Sequence, residues 1–122
     1  MAVTWIKYKE LDILYVDYQK TTLEEQLQML QEQARILKIH KELSVLILVN
    51  ITGMNFSEKL MIEAKNISKQ YIAPKTKRAA IIGVTGIRSL FLKGLNLFIK
   101  RNMVPFDDEI SAKEFLLQES KK

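Results

Sequence analysis

The chain contains no cysteine. Disulfides, thiolate nucleophiles and zinc–thiolate sites are excluded, and the absence fits a reducing cytoplasm. Histidine occurs once, as His40, with no Ser–Asp or Cys partner in a recognisable pattern, so no catalytic role is expected for it. HExxH, carboxylate–histidine and calcium-loop patterns are missing, and neither a metal nor a cofactor is expected. No apolar run reaches the ~18 residues that a membrane span needs. The first ten residues, MAVTWIKYKE, lack the basic-then-apolar layout of a secretory leader. Proline occurs twice and glycine four times, and Pro74, Gly83 and Gly86 are expected to mark element boundaries.

What is present suits one folded domain spanning residues 1–122, long enough to bury a core, with 48% hydrophobic and 27% charged residues. The net charge of +5 and pI near 9.4 would assist weak binding to nucleic acid or anionic lipid, but the charge is dispersed. Lys65, Lys69, Lys75, Lys77 and Arg78 form a loose basic region with only Tyr71 nearby for base stacking, and read as a solvated face.

Thr4–Tyr8 alternates, Lys9–Asp12 reads as a turn, and Ile13–Tyr18 (ILYVDY) is rich in β-branched and aromatic residues, which predicts an opening β-hairpin. Asp17 falls on the Tyr15 side of that strand, opposite Leu14 and Val16, where it could be half buried. Thr22 and Glu25 have capping-box spacing, and Leu23, Leu27, Leu30, Ala34 and Leu37 follow on one helical face. The Gln and Glu residues fall mostly on the outer face, with Met29 and Ile36 off the main stripe. His40 ends the helix, where a cation suits the dipole.

Ser44–Val49 is a continuous apolar run, as expected of a central strand covered on both faces. Ser57 is a candidate N-cap, Leu60, Ala64, Ile67 and Tyr71 form the inner stripe of the next helix, and Pro74 ends it. Ala79–Val84 is the next buried strand. Gly83 and Gly86 frame a turn into a helix from Ile87 to about Lys100. Met103–Phe106 is a short strand, and Asp107 or Asp108 caps a last helix with Ala112, Phe115 and Leu116 inward. Asp107, Asp108 and Glu109 read as helix-start acids rather than a general acid–base pair. The predicted order is β-β-α-β-α-β-α-β-α: an α/β fold with a mainly parallel sheet of about five strands and four helices.

ILYVDY, SVLILVNITGMNFS (Ser44–Ser57), RAAIIGVTGIRSLFLKGLNLF (Arg78–Phe98) and VPFDDEISAKEFL (Val104–Leu116) together resemble the small prokaryotic STAS-like proteins. These are relatives of the anti-sigma-factor antagonists, sometimes described as STAS/SEC14-type domains. The resemblance implies a non-enzymatic regulatory or adaptor domain that engages a protein partner. It also implies a phosphorylatable Ser or Thr near the start of the second main helix. The expected Asp-Ser-Ser-Gly motif is absent: the region reads Asn50-Ile51-Thr52-Gly53-Met54-Asn55-Phe56-Ser57-Glu58, leaving Thr52 and Ser57 as the available hydroxyls. Glu58 would oppose a phosphate on Ser57. The SEC14-type label suggests a small apolar ligand or lipid as an alternative.

Three further features could carry binding. Ile82-Gly83-Val84-Thr85-Gly86-Ile87-Arg88-Ser89-Leu90 matches the KH pattern in which a GXXG loop grips RNA, but a KH loop joins two helices, and Val84 and Thr85 are neutral. Gly83, Thr85 and Gly86 could receive an anion at a helix start, although the spacing is not that of a nucleotide loop. In the Ile87–Lys100 segment, Ser89, Lys93, Asn96 and Lys100 form a narrow polar stripe within a wide apolar arc. Leu92, Leu95 and Ile99 form a shoulder expected to pack in a homodimer or against a protein partner, or else beneath a neighbouring helix. Arg88, Lys93, Lys100 and Arg101 could serve anionic headgroups.

Overall fold

The computed structural model describes residues 2–40, 44–85, 89, 92–93 and 103–118. Five strands form one sheet in the order β1-β2-β3-β4-β5: Ala2–Tyr8, Leu11–Asp17, Val45–Asn50, Thr76–Ile82 and Met103–Phe106. β1 and β2 pair antiparallel as a hairpin, while β2 to β5 run parallel. The described α-helices are α1 (Leu23–Ile39), α2 (Glu58–Ile67) and α3 (Glu109–Leu117).

The predicted hairpin, central strands and mainly parallel sheet are present. Four helices were expected, against three among the described residues. Most of the Ile87–Lys100 segment lies outside those residues, and of it only Ser89, Leu92 and Lys93 are described, all helical. β4 begins at Thr76 rather than Ala79 and ends at Ile82 rather than Val84.

The parallel strands follow one another across the sheet without reversal, so right-handed connections send successive crossovers to one face. α1, α2 and Leu92 share a core there with Leu14, Val16, Ile47, Val49, Ala79 and Ile81. The alternate residues Ile13, Leu46, Leu48, Ala80 and Ile82 meet Ala112 and Leu116 of α3 on the opposite face. This two-sided cover makes Val45–Asn50 wholly buried and explains its unbroken apolar run.

α1 carries the full capping box: Thr22 Oγ1 accepts from the Glu25 amide at 3.2 Å, and Glu25 Oε1 accepts from the Thr22 amide at 2.9 Å. Its buried face is Gln26, Met29, Leu30, Gln33, Ala34 and Leu37. This corrects the expected stripe. Leu23 is exposed and Leu27 only half buried, whereas Met29 and two glutamines lie inside. The glutamines enter because they have partners: Gln26 Nε2 donates to Thr21 Oγ1 at 3.2 Å and to the Asn55 carbonyl at 3.3 Å, and Gln33 Nε2 to the Tyr18 hydroxyl at 2.7 Å.

α2 begins at Ser57, whose Oγ accepts from the Leu60 amide at 3.1 Å. It does not run regularly to Pro74. After Ile67 the chain widens into a π turn, Ser68–Ile72, and then tightens into a 3-10 turn, Ala73–Lys75, with Pro74 inside it. The winding change turns Tyr71 partly outward and Ser68 inward.

The hairpin turn places Lys9 at φ 48° and Glu10 at φ 72°, the paired positive values of a tight primed turn, without Gly or Asn at either position. α3 is tied to that turn through Glu114 Oε2, which accepts from Tyr8 Oη at 2.6 Å and from Lys9 Nζ at 2.8 Å. The Arg78 guanidinium lies 4.5 Å from the centre of the Phe115 ring, and its Nη1 donates to the Phe115 carbonyl at 2.8 Å.

Candidate functional site

The carboxyl ends of the neighbouring interior strands β3 and β4 lie together at one end of the sheet. β3 ends on Asn50, a buried polar residue whose side chain is used twice. Its Oδ1 accepts from the Thr52 amide at 3.0 Å, and its Nδ2 donates to the Tyr15 hydroxyl at 3.3 Å. Its backbone carbonyl accepts from the Tyr18 amide at 2.9 Å. Ile51 then donates its amide to the Ile82 carbonyl at 2.9 Å, and Met54 donates back to the Ile51 carbonyl at 3.0 Å, closing a turn with Gly53 at φ 71°.

Thr52, at the exposed corner of this turn, rests directly on Gly83. Gly83 has φ 92°, and a Cβ there would lie 2.5 Å from the Thr52 amide nitrogen and 2.6 Å from its Oγ1. Thus two candidates singled out separately, the Thr52 hydroxyl and the Gly83 loop, form one corner. Burial holds the Tyr15 phenol above its ordinary range; the Asn50 hydrogen bond works in the other direction. Asp17 is half buried at the same end, its Oδ1 accepting from the Gln19 amide at 3.0 Å.

The other candidates fall elsewhere. Ser57 is half buried, and its hydroxyl oxygen caps α2. Thr85 is exposed, and Gly86 lies outside the described residues. Leu92, expected to meet a partner or else to lie beneath a neighbouring helix, is only 6% exposed and packs within this chain's own core beside α1 and α2, because this face of the sheet has apolar surface to cover there. Leu95 and Ile99 lie outside the described residues. His40 is the C-cap of α1, stacked on Trp5 with ring centres 5.7 Å apart, and its carbonyl accepts from Lys75 Nζ. Among the described residues no three His, Asp or Glu side chains gather closely enough to hold a metal ion, and no helix is long and apolar enough to cross a membrane.

The KH alternative is overturned. The residues leading into Gly83 form β4, hydrogen-bonded between β3 and β5, whereas a GXXG clamp needs a helix there.

A crystal structure of a DUF3478-family protein from Shewanella loihica PV-4, described as having a SpoIIAA-like fold, superposes with a TM-score of 0.73 over 94% of this chain and 92% of that one. The chain has a SpoIIAA-like fold. At 22% sequence identity the likeness establishes architecture, and fold alone does not assign a function. No protein-family model matches the chain, and no curated protein is significantly similar to it. In this SpoIIAA-like fold the Thr52 corner precedes α2 by one short loop, Gly53–Ser57.

No local pattern signals the contact between Thr52 and Gly83, which are 31 positions apart. Gly83 is legible in the sequence as a turn residue, but not as a neighbour of Thr52.

Proposed function

We propose that this chain is a non-enzymatic regulatory or adaptor domain that binds a protein partner through the corner formed by Thr52, Gly53 and Gly83. The observation that carries the reading is an exposed hydroxyl residue held by Asn50 on one side and pressed against Gly83 on the other. Such a residue offers a partner a fixed surface, with little ordering cost on binding. The SpoIIAA-like fold and the resemblance to anti-sigma-factor antagonists support a contact of this kind.

Thr52 is the better candidate for a phosphate switch than Ser57, whose oxygen is engaged as a helix cap. Phosphorylation would add a charge of about −1.5 to −2 at an exposed corner and remodel the docking surface.

A photo-crosslinking side chain placed at position 52 tests the reading in cells, with one at Lys7 on the far end of the hairpin as control. The expected result is a discrete adduct of one mass from position 52, weakened by Gly53→Glu and absent from position 7. A diffuse smear, or identical adducts from both positions, removes the proposal. The adduct's mass distinguishes a different protein from a second copy of this chain.

A further inference from the structure

A cavity of about 70 Å³ lies between the sheet and the helices, beside the π turn that follows α2. Ile47 and Ile81 supply apolar floor, while Tyr18, Gln33, Ser68 and Thr76 bring polar side chains to it. These four polar residues are all buried, and they come from separate stretches of the chain. None of the described lining residues is charged.

Polar side chains in an apolar core carry a desolvation cost, and hydrocarbon of the same shape is often at least as stable. Their convergence on one space therefore calls for a role. Tyr18 Oη accepts from Gln33 Nε2 at 2.7 Å, so its own hydrogen remains to be donated. The phenol is protonated at neutral pH, and burial moves its pKa further up. The Gln33 amide has a carbonyl oxygen left to accept. Thr76 donates to the Ile72 carbonyl at 2.6 Å across the 3-10 turn that follows the π turn. The π turn itself turns Ser68 inward, and such turns recur at functional sites.

We propose that this cavity binds a small neutral amphiphile, such as a short-chain alcohol, ketone or amide. Its polar group would meet Tyr18 and Gln33, and its carbons would lie against Ile47 and Ile81. The volume is about half that of the ~150 Å³ cavity that holds benzene, which limits the ligand to roughly three to five non-hydrogen atoms. A lipid acyl chain does not fit. An ionised carboxylate or ammonium would enter without an opposite charge among the described walls, and is disfavoured for that reason.

Methyl NMR of the full chain, labelled at methionine, provides the test, because Met54 and Met103 line the cavity while buried Met29 does not. Titration with 1-propanol should shift the Met54 and Met103 methyls along a saturating curve and leave Met29 in place. Propionate at pH 7 should bind at least about ten-fold more weakly, reflecting its unpaired charge. Tyr18→Phe should weaken propanol binding roughly five-fold, the value of one hydrogen bond. Shifts that rise linearly without saturation, or propionate matching propanol, overturn the proposal. The propanol–propionate comparison uses the unmodified protein, so it decides the matter even if Tyr18→Phe does not fold. None of these readouts depends on a protein partner at Thr52.

Discussion

Gly83 and Thr52 approach so closely that a Cβ on Gly83 would sit 2.7 Å from the Thr52 Cα. Backbone cannot yield as a flexible side-chain tip can, and Gly83 also holds φ 92°. Gly53, at φ 71°, has open space where its Cβ would go. Gly83→Ala should therefore destabilise by about 3 kcal/mol or more, combining steric displacement with backbone strain. Gly53→Ala should cost only about 1 kcal/mol, from the left-handed backbone alone. Urea unfolding of the two variants checks this, and equal losses would mean that the Thr52 contact is not tight.

The hairpin turn carries a correctable strain. Glu10 sits at φ 72° in a position that favours glycine, and its side chain forms no hydrogen bond or ion pair among the described residues. Glu10→Gly should raise stability by roughly 0.5–1 kcal/mol, with left-handed strain relief exceeding the added freedom of the unfolded chain. A higher urea midpoint with an unchanged slope is the expected result.

Asp108 should make stability depend on acid pH. Its carboxylate accepts from the Ser111 amide at 2.7 Å, and backbone hydrogen bonding there holds its pKa below the usual 3.8. A folded-state pKa below the unfolded one gives stability that is present above pH 3.8 and lost as pH falls through the lower folded value. Asp108→Asn can still cap, but without the charge. The wild-type advantage over this variant should be present at pH 6 and vanish under strongly acid conditions, as measured by urea titrations across that range.

Tyr18 predicts the opposite dependence at high pH. Burial raises its pKa above the ordinary 10.0, so its contribution is intact below pH 10 and declines as the medium becomes more alkaline, where the unfolded chain ionises first. Tyr18→Phe should be less stable at neutral pH by about 1–3 kcal/mol, because Gln33 loses its buried partner. It should also show a shallower loss of stability above pH 10. An unchanged alkaline slope would mean that Tyr18 is hydrated in the folded state.

Much of the architecture was legible in the residues. The apolar run Ser44–Val49 announced a strand covered twice, and the structure buries Val45–Val49 while leaving Ser44 exposed. Thr22 with Glu25, and Ser57 before Leu60, marked helix starts whose caps are formed as expected. Such signals are local: the residues that interact lie within one turn of each other, so their spacing is sufficient to read them.

Other features depended on contacts between distant residues. Gln26 and Gln33 looked like surface residues until Asn55 and Tyr18 supplied their partners. Leu92 belonged to an apolar arc wide enough for two uses, and the sheet claimed it for the core. The shift from α-helix to π turn at Ser68 left no signature beside Pro74.

The order of elements, the sidedness of the central strands and the helix caps follow from local patterns in the residues, because hydrophobic period and backbone hydrogen bonding act over short spans of chain. That Thr52 rests on Gly83, and that Tyr18, Gln33, Ser68 and Thr76 surround one space, emerges from the packed fold. Those meetings depend on strand register and helix packing, where residues far apart along the chain are brought to within a few ångströms.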